Sequence, residues 1–177
     1  MEERWDIYDK NKQPTGRTMK RNNWTLKDDE YHLTVLGVIR RPDGKFLITK
    51  RVMTKAWAPG WWEVSGGAAQ AGETSYDAVL REVKEETGLD IYSPQLCGIK
   101  DWVENECRYV VLFYKTNRFD GVLQSSNEGE VWWAEMDQLT SLKLSLDMQD
   151  MIRVFVEDGL SEFFYRQDGD QWVYDLK

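Results

Sequence analysis

The stretch GGAAQAGETSYDAVLREVKEETGL, residues 66 to 89, predicts one amphipathic helix from Thr74 to Thr87. Thr74 is followed three residues later by Asp77, which makes a capping box, and Gly88 supplies the left-handed residue at which many helices end. The start and the end of this helix are therefore both specified locally, and the helix organises the sequence around it.

The last two turns of this helix carry three acids, Glu82, Glu85 and Glu86. They lie three and four residues apart, so like charges face one another, and two of them sit at the negative end of the helix dipole. A solvated surface is the ordinary reading of a Glu-rich helix, but here no lysine shares the acidic face. A bound hard cation would turn this repulsion into affinity, because Mg²⁺ prefers carboxylate oxygens, waters and substrate phosphates. The opposite, apolar face is predicted to consist of Tyr76, Val79, Leu80, Val83 and Thr87.

Composition limits the classes of protein that the chain can belong to. Its 177 residues suit one domain with extensions, and a 41% hydrophobic share with 13% aromatic residues is typical of a folded globule. A net charge of −8 argues against an extended nucleic acid held on a broad basic face. The two cysteines, Cys97 and Cys107, lack metal-ligand or redox spacing, and no long apolar run predicts a membrane span. We expect a cytoplasmic protein that does not bind a membrane.

The pattern along the chain predicts a mixed α/β fold in one domain over residues 1–177. The first 30 residues are polar and turn-rich and are predicted to form a flap, residues 31–140 a core, and residues 141–177 a C-terminal helix and hairpin. The individual predictions are a hairpin over 31–51 that turns at Pro42-Asp43-Gly44, strands over 107–115 and 129–136, a short helix at Asp137, a helix over 146–159 closed by Gly159, and a hairpin over 163–174 that turns at Asp168-Gly169.

Residues 67–89 resemble the Nudix box, G-x5-E-x7-R-E-U-x-E-E-x-G-U with U an aliphatic residue. Gly67, Glu73 and the run from Arg81 to Leu89 match at every specified position. The resemblance to the broader Nudix domain covers about residues 31–140 and implies an α/β/α sandwich with a mixed sheet. It also implies hydrolysis of a small-molecule diphosphate linked to a group X, by attack of water on phosphorus.

The resemblance further implies a role for each residue of the box. Mg²⁺ is the expected cofactor, with Mn²⁺ as an alternative. Arg81 and Glu73 correspond to a pair that orients the metal-binding acids by hydrogen bonding. The implied metal ligands are the carboxylates of Glu82, Glu85 and Glu86 and the backbone carbonyl of Gly66.

The general base stays open between the box and a later loop. Glu82 is one candidate, and members of the family also use an acid from beyond the box. Glu128 is the preferred loop acid, because an acid just before the GEVWW strand is commonly used in this family. The other loop candidates are Glu104, Glu106 and Glu130.

The approach to the box, LITKRVMTKAWAPGWWEVSGG, offers contacts for the substrate. Arg51 and Lys55 could meet the diphosphate, although ordinary salt bridges explain them about as well. Trp57 is a candidate for stacking on a nucleobase, whereas Trp62 is predicted to pack in the core. His32, the only histidine, is predicted to be a structural hydrogen-bonding residue.

Two other functions stay open beside hydrolysis. WDIYDKNKQPTGR and the segment from residue 30 to 51 are similar to the N-terminal half of isopentenyl diphosphate isomerases, which need a cysteine before the box and metal-binding histidines around it. WWEVSGGAA contains neither. A catalytically silent module that binds a nucleotide diphosphate is the third alternative, although the acids of the box are complete. A homodimer is compatible with the aromatic-rich and polar appended segments.

Overall fold

The computed structural model describes residues 2–55, 57–104, 107–127, 129–145 and 147–177. The strands are β1 (Arg4–Tyr8), β2 (Pro14–Lys20), β3 (Thr34–Ile39), β4 (Phe46–Arg51), β5 (Trp62–Glu63), β6 (Ser65–Ala68), β7 (Asp90–Ile91), β8 (Gln95–Glu104), β9 (Cys107–Thr116), β10 (Phe119–Asp120), β11 (Gly129–Ala134), β12 (Glu162–Asp168) and β13 (Gln171–Leu176). The helices are α1 (Ser75–Thr87), α2 (Met136–Leu139) and α3 (Met148–Val156).

A six-stranded mixed sheet in the order β13-β12-β8-β9-β3-β6 forms the centre of the fold, next to a three-stranded sheet β11-β4-β5. Alternate residues of β3 point to opposite faces, as the pleat requires. Val35 and Ile39 pack with α1, whereas Val38 packs with the buried side chains of α3. Helices therefore cover both faces, and the predicted α/β/α sandwich with a mixed sheet is confirmed.

The predicted box helix is present with the expected ends. Thr74 is the N-cap and exchanges hydrogen bonds with Asp77 in a capping box, and Gly88 adopts a left-handed φ of 77° with its N–H bonded to the Lys84 carbonyl. The apolar face is narrower than predicted: Ala78, Val79, Val83 and Thr87 are buried, but Tyr76 is 41% exposed. Tyr76 lies in the first turn of α1, and its ring makes an edge contact with Tyr114.

The predicted hairpin over residues 31–51 is wrong. The turn forms, because the N–H of Gly44 bonds to the Arg41 carbonyl, but the two flanking strands share only one bridge, Arg40 to Phe46. The two edges of β3 are already occupied by β6 and β9, so β4 pairs with β11 and β5 in the other sheet. A strand has only two edges, and both edges of β3 pair with strands that are more distant in sequence than β4.

The other predicted elements of the C-terminal half are present, with shifted ends. Strands β9 and β11 and the short helix α2 lie where they were predicted, but α3 ends at Val156, before Gly159. The terminal hairpin forms, with Asp168 paired to Gln171. Its first strand, β12, also pairs in parallel with β8, a ten-residue strand that the sequence pattern did not single out. In the described residues, no helix is long and apolar enough to cross a membrane.

The N-terminal hairpin of β1 and β2 packs against the loop that precedes α1. The Ala71 N–H bonds to the Arg4 carbonyl, and the Gly72 N–H donates to the Asp6 carboxylate at 2.6 Å. At the other end of β1, Tyr8 and Tyr31 exchange two backbone hydrogen bonds. The segment predicted as a flap therefore contains a hairpin whose first strand is bonded to the loop of the box at one end and to Tyr31 at the other.

Candidate active site

A cleft of about 460 Å³ lies between the N-terminal hairpin, the end of β4, the glycine pair of β6 and the last turns of α1. All three acids of the box, Glu82, Glu85 and Glu86, face it, and so do Gly66 and Gly67. Acids and glycines 15 to 20 residues apart in sequence thus line one wall, because β6 runs beside α1. The remaining lining residues are Glu3, Trp5, Arg21, Asn22, Thr49, Arg51, Lys55, Trp57, Glu63, Ala68, Gln70, Arg81, Ser126 and Gly129.

Arg81 connects the acids at the base of this cleft. Its Nε and Nη2 donate to the two oxygens of Glu73 at 2.7 and 3.0 Å, in the bidentate geometry that a guanidinium matches best. Its Nη1 donates to Glu82 at 2.9 Å and to Glu85 at 3.1 Å, and Nη2 also reaches the Ala68 carbonyl at 3.0 Å. One side chain therefore contacts three acids of the box and ties the helix to the glycine strand.

Partial burial and hydrogen bonding shift the pKa values of Arg81 and Glu73. Burial lowers the pKa of Arg81, but the hydrogen bond to Glu73 and the charge of Glu82 outweigh it, so the net pKa is raised and the guanidinium stays charged. Burial raises the pKa of Glu73, but hydrogen bonds from Arg81 and from the Gln70 N–H outweigh it, so the net pKa lies below the ordinary value of 4.5. The pair is ionised at neutral pH.

Glu73 should make the stability of the protein depend on pH. Because its pKa in the folded state is lower than in the unfolded state, its stabilising contribution is present above about pH 4.5 and is lost as the pH falls through the folded-state pKa. We expect the difference in unfolding free energy between the wild type and Glu73→Gln to be constant from pH 8 to pH 6 and to shrink below about pH 4.5. Urea titrations across this range measure it, and a difference that grows on acidification would contradict the assignment.

The two glycines are required for close approach. A Cβ on Gly66 would lie 2.3 Å from the Val35 carbonyl oxygen, and a Cβ on Gly67 would lie 2.5 Å from Oε1 of Glu82. The first glycine lets β6 pair tightly with β3, and the second leaves room for the Glu82 carboxylate. The Glu82 side chain is only 13% exposed, because this glycine and Arg81 enclose it.

Gly67→Ala is expected to displace the Glu82 carboxylate and reduce activity about tenfold to a hundredfold, because misplacing a reacting group by about 1 Å has effects of that size. Stability should change little, since the clashing atom is the end of a flexible side chain. Gly72→Ala is the matched control. Gly72 has a φ of 86° with open space around it, so alanine there should cost about 1 kcal/mol of stability and leave activity intact. Equal activity losses in the two variants would contradict a specific role for Gly67.

The donor set of the cleft fits a hard divalent cation. Three carboxylates and the backbone of the glycine strand supply the oxygen ligands that Mg²⁺ and Mn²⁺ accept. As the side chains stand, no three acidic, histidine or cysteine side chains in the described part of the chain converge closely enough to hold a metal. Glu85, 57% exposed, leans instead toward Arg81. Its carboxylate would have to swing from Arg81 toward Glu82 and Glu86 to complete a site.

The predicted substrate contacts line the same cleft as the acids of the box. Arg51 and Lys55 both face the cleft, although Arg51 also pairs with Glu63 at 2.7 Å, so the salt-bridge reading of Arg51 holds as well. Trp57 is 54% exposed at the mouth, and the Arg51 guanidinium lies 5.0 Å from its ring centroid. Trp62 packs against the core cluster, as predicted.

The candidates for a loop base are only partly placed by the structure. Glu128 and Glu106 lie outside the described residues, as does the side chain of Glu104, so their roles stay predictions. Glu130 is on β11, 69% exposed, and pairs with Lys50 at 3.5 Å. It is not among the residues that line the cleft.

Sequence reasoning did not identify which residues of the N-terminal hairpin reach the cleft. Glu3, Trp5 and Arg21 all line it, and nothing in their local sequence indicated this. The His32 ring stacks on Trp5 with centroids 5.0 Å apart, and burial lowers the pKa of this histidine. In the described residues its Nδ1 is buried without a hydrogen-bond partner, so the predicted hydrogen-bonding role is replaced by ring packing.

Comparison with known proteins agrees with this arrangement. The family model of the NUDIX domain matches residues 30–155, more than half of the chain. The chain belongs to the Nudix family. The resemblance inferred from the box is thus confirmed, and the match continues past residue 140, where the core was predicted to end.

Individual Nudix relatives and structures are similar over different shares of the chain. An uncharacterized Nudix hydrolase of Listeria monocytogenes is 40% identical over 90 residues, 50% of this chain and 53% of the relative. An isopentenyl-diphosphate Delta-isomerase of Kocuria rhizophila is 34% identical over 90 residues, 50% of this chain and 49% of the relative. The chain thus matches about half the length of each. The crystal structure of a mutator MutT protein from Bacillus halodurans has a TM-score of 0.67 at 22% identity, over 83% of this chain and 98% of that one, and shows the shared fold.

Proposed function

We propose that this Nudix protein is a Mg²⁺-dependent hydrolase that cleaves the diphosphate linkage of a nucleoside diphosphate joined to another group X. The observation that carries the proposal is the cleft that Glu82, Glu85 and Glu86 line together with two cations, Arg51 and Lys55. Acids for a metal and cations for a phosphate in one cleft are what hydrolysis of a diphosphate requires.

The acids and the cations of the cleft have separate parts in the reaction. The helix wall would hold the metal through Glu82, Glu85, Glu86 and the Gly66 carbonyl, and when bound Mg²⁺ supplies positive charge against the diphosphate and makes the attacking water more acidic. Arg51 and Lys55 bind the phosphate oxygens and orient them. The water oxygen attacks one phosphorus, the bridging P–O bond breaks, and the bridging oxygen leaves with the second phosphate.

The proton of the attacking water must pass to a carboxylate. Glu82 is positioned for this by Arg81, which fixes one of its oxygens at 2.9 Å. Glu128 is the alternative, supplied by the loop before β11. Measuring turnover of Glu128→Gln and Glu130→Gln distinguishes Glu82 from Glu128 as the base. A loss of turnover in Glu128→Gln but not in Glu130→Gln assigns the base to the loop.

The test is phosphate release from a panel of nucleoside triphosphates, nucleotide sugars, dinucleotides, ADP-ribose and isoprenoid diphosphates. A phosphatase is added where the products are phosphate monoesters. Each substrate is measured with Mg²⁺, with Mn²⁺ and with a chelator, and the Glu86→Gln protein measures contaminating activity. Turnover of one class that requires the metal and is lost in the variant supports the proposal. No metal-dependent release across the panel would overturn it.

The panel also distinguishes the two other candidates. The isomerase relative supports a test of isopentenyl diphosphate, where rearrangement without phosphate release would indicate isomerisation. Residues 61–69 contain neither cysteine nor histidine, so the cysteine that those isomerases need before the box is missing. Binding of a nucleotide without turnover would indicate a non-catalytic module. A homodimer and a cytoplasmic location stay predictions.

A further inference from the structure

The N-terminal hairpin brings a second carboxylate site to the cleft. Glu3 immediately precedes β1 and lines the cleft together with Trp5 and Arg21. The indole N–H of Trp5 donates to Oε1 of Glu3 at 2.8 Å, and Nη1 of Arg21 donates to Oε2 at 2.8 Å. The Glu3 side chain is 26% exposed, so this carboxylate is fixed at the cleft surface and still reachable.

The position of Glu3 is set by the fold. The neighbouring Arg4 accepts a backbone hydrogen bond from Ala71, and Asp6 accepts one from Gly72, both in the loop of the box. The Trp5 ring is 6% exposed and stacks on His32 in the hairpin core. Glu3 is therefore held in a fixed position relative to the glycine strand and to the acids of α1.

Glu3 still has room to accept further hydrogen bonds. An ionised carboxylate offers about four acceptor positions, and the indole and the guanidinium use one on each oxygen. Gln70 and Asn22 add two amides to the lining of the same cleft. The φ of Asn22 is 62°, a left-handed conformation that asparagine tolerates, and this accounts for an asparagine at that position without a role in recognition. We therefore assign recognition to Glu3.

This end of the cleft is therefore polar and charged. A hydrocarbon tail placed there would remove water from a carboxylate, a guanidinium and amides and offer them no hydrogen bond, which is costly for each buried group. A group with N–H or O–H donors would replace that water. Sites built to hydrogen-bond a substrate group reject analogues that lack the group far more strongly than apolar pockets discriminate by size.

Building on the proposed function, we infer that Glu3, held by Trp5 and Arg21, is a specificity-determining residue that binds hydrogen-bond donors of the group X. The diphosphate substrates are then those that carry a nucleoside or sugar, and isoprenoid diphosphates are excluded. Trp5 is a positioning residue, because it acts through Glu3.

The test measures binding, so it does not depend on turnover. Calorimetric titration of the Glu86→Gln protein with α,β-methylene nucleoside diphosphates, a nucleotide sugar, isopentenyl diphosphate and inorganic diphosphate gives the affinity that X adds to the diphosphate. We expect the nucleoside or sugar ligand to bind more tightly than inorganic diphosphate. Adding Glu3→Gln should reduce that advantage about tenfold or more, the effect of losing a charged hydrogen-bond acceptor. Comparing a sugar without a base with a nucleoside distinguishes the two sources of donors.

Two further variants keep the test specific. Glu2→Gln removes a charge of the same hairpin that pairs with Lys20, is 59% exposed and does not line the cleft, so it should leave all affinities unchanged. Trp5→Phe keeps an aromatic ring but removes the indole N–H that positions Glu3 together with part of the ring system, so the ligand dependence of its effect should match that of Glu3→Gln. If Glu3 acted only through its negative charge, Glu3→Gln would strengthen the binding of inorganic diphosphate. The effect expected for the nucleoside ligand has the opposite sign, because that ligand loses a hydrogen-bond acceptor.

The outcomes separate this inference from the proposed function. Tightest binding of isopentenyl diphosphate, or an equal effect of Glu3→Gln on every ligand, would overturn the inference whether or not the protein hydrolyses anything. A dependence on Glu3 in a wild-type protein that releases no phosphate would support the inference and overturn hydrolysis instead.

Discussion

Replacing Glu86 by Gln is expected to reduce metal-dependent turnover by about a thousandfold or more, because the cleft loses a charged ligand whose contribution to the transition state is several kcal/mol. Glu86 is set among the other box acids on the cleft wall, and its Oε2 atom is buried. Glutamine keeps the length and one oxygen but removes the charge. The rate of phosphate release on the best substrate of the panel, measured over a range of Mg²⁺ concentrations, checks the prediction.

The same variant should leave the fold intact. Glu82 and Glu86 lie four residues apart on α1, and like charges at this spacing destabilise a helix by a few tenths of a kcal/mol. Without metal, Glu86→Gln should therefore melt at the wild-type temperature or slightly above it. Glu157→Gln is the matched control, because Glu157 follows α3 in an exposed ion pair with Arg153, 44% exposed, and should change neither activity nor metal dependence. Full activity of both Glu85→Gln and Glu86→Gln with Mg²⁺ would show the metal assignment to be wrong.

Arg81→Ala is expected to damage both stability and activity. The side chain is 18% exposed and pairs with Glu73, 20% exposed, and Glu82, 13% exposed. Removing one partner of a buried ion pair costs about 3–5 kcal/mol, and the partial exposure here reduces this to about 2–4 kcal/mol. For a chain of this size the melting temperature should fall by about 5–15 °C. Turnover should fall about a hundredfold or more, because Glu82 loses the group that orients it.

Arg81→Lys separates charge from geometry. Lysine keeps the positive charge but cannot donate two parallel hydrogen bonds to Glu73 while also reaching Glu82. Its melting temperature should lie between those of the wild type and Arg81→Ala, and its turnover should stay close to that of the alanine variant. A lysine variant with wild-type turnover would show that the charge suffices and that the bidentate contact to Glu73 has no part in positioning Glu82. Thermal melts monitored by circular dichroism and the phosphate assay give both quantities.

The box helix shows how far local sequence determines structure. Thr74, Asp77 and Gly88 interact with groups within four residues of themselves, so the capping box and the left-handed end follow from the sequence with few alternatives. The separation of Glu82 and Glu86 from the apolar stripe follows from the helical repeat in the same way. The family and the sandwich fold could also be predicted, because the box is long and complete.

Strand pairing could not be predicted in the same way. Residues 34–51 look like a hairpin, because two β-rich runs flank a turn, yet β3 and β4 belong to different sheets. The choice depends on β6 and β9, which pair with β3, and on β11, which pairs with β4 from up to 88 residues away. The energy of a strand pair lies in contacts between distant segments, and a local pattern contains no information about which segment wins.

For this protein, then, the sequence alone determined the acidic helix, its ends and the family to which the cleft belongs. Only the tertiary structure decided which residues complete the cleft. Glu3 and Trp5 are more than 60 residues from the box, and they reach it because the loop N–H groups of Ala71 and Gly72 bond to Arg4 and Asp6. Backbone N–H and carbonyl groups are present in almost every residue, and a carboxylate is present in every aspartate, so no sequence motif identifies these hydrogen bonds. Their partners become defined only when the hairpin packs against the loop.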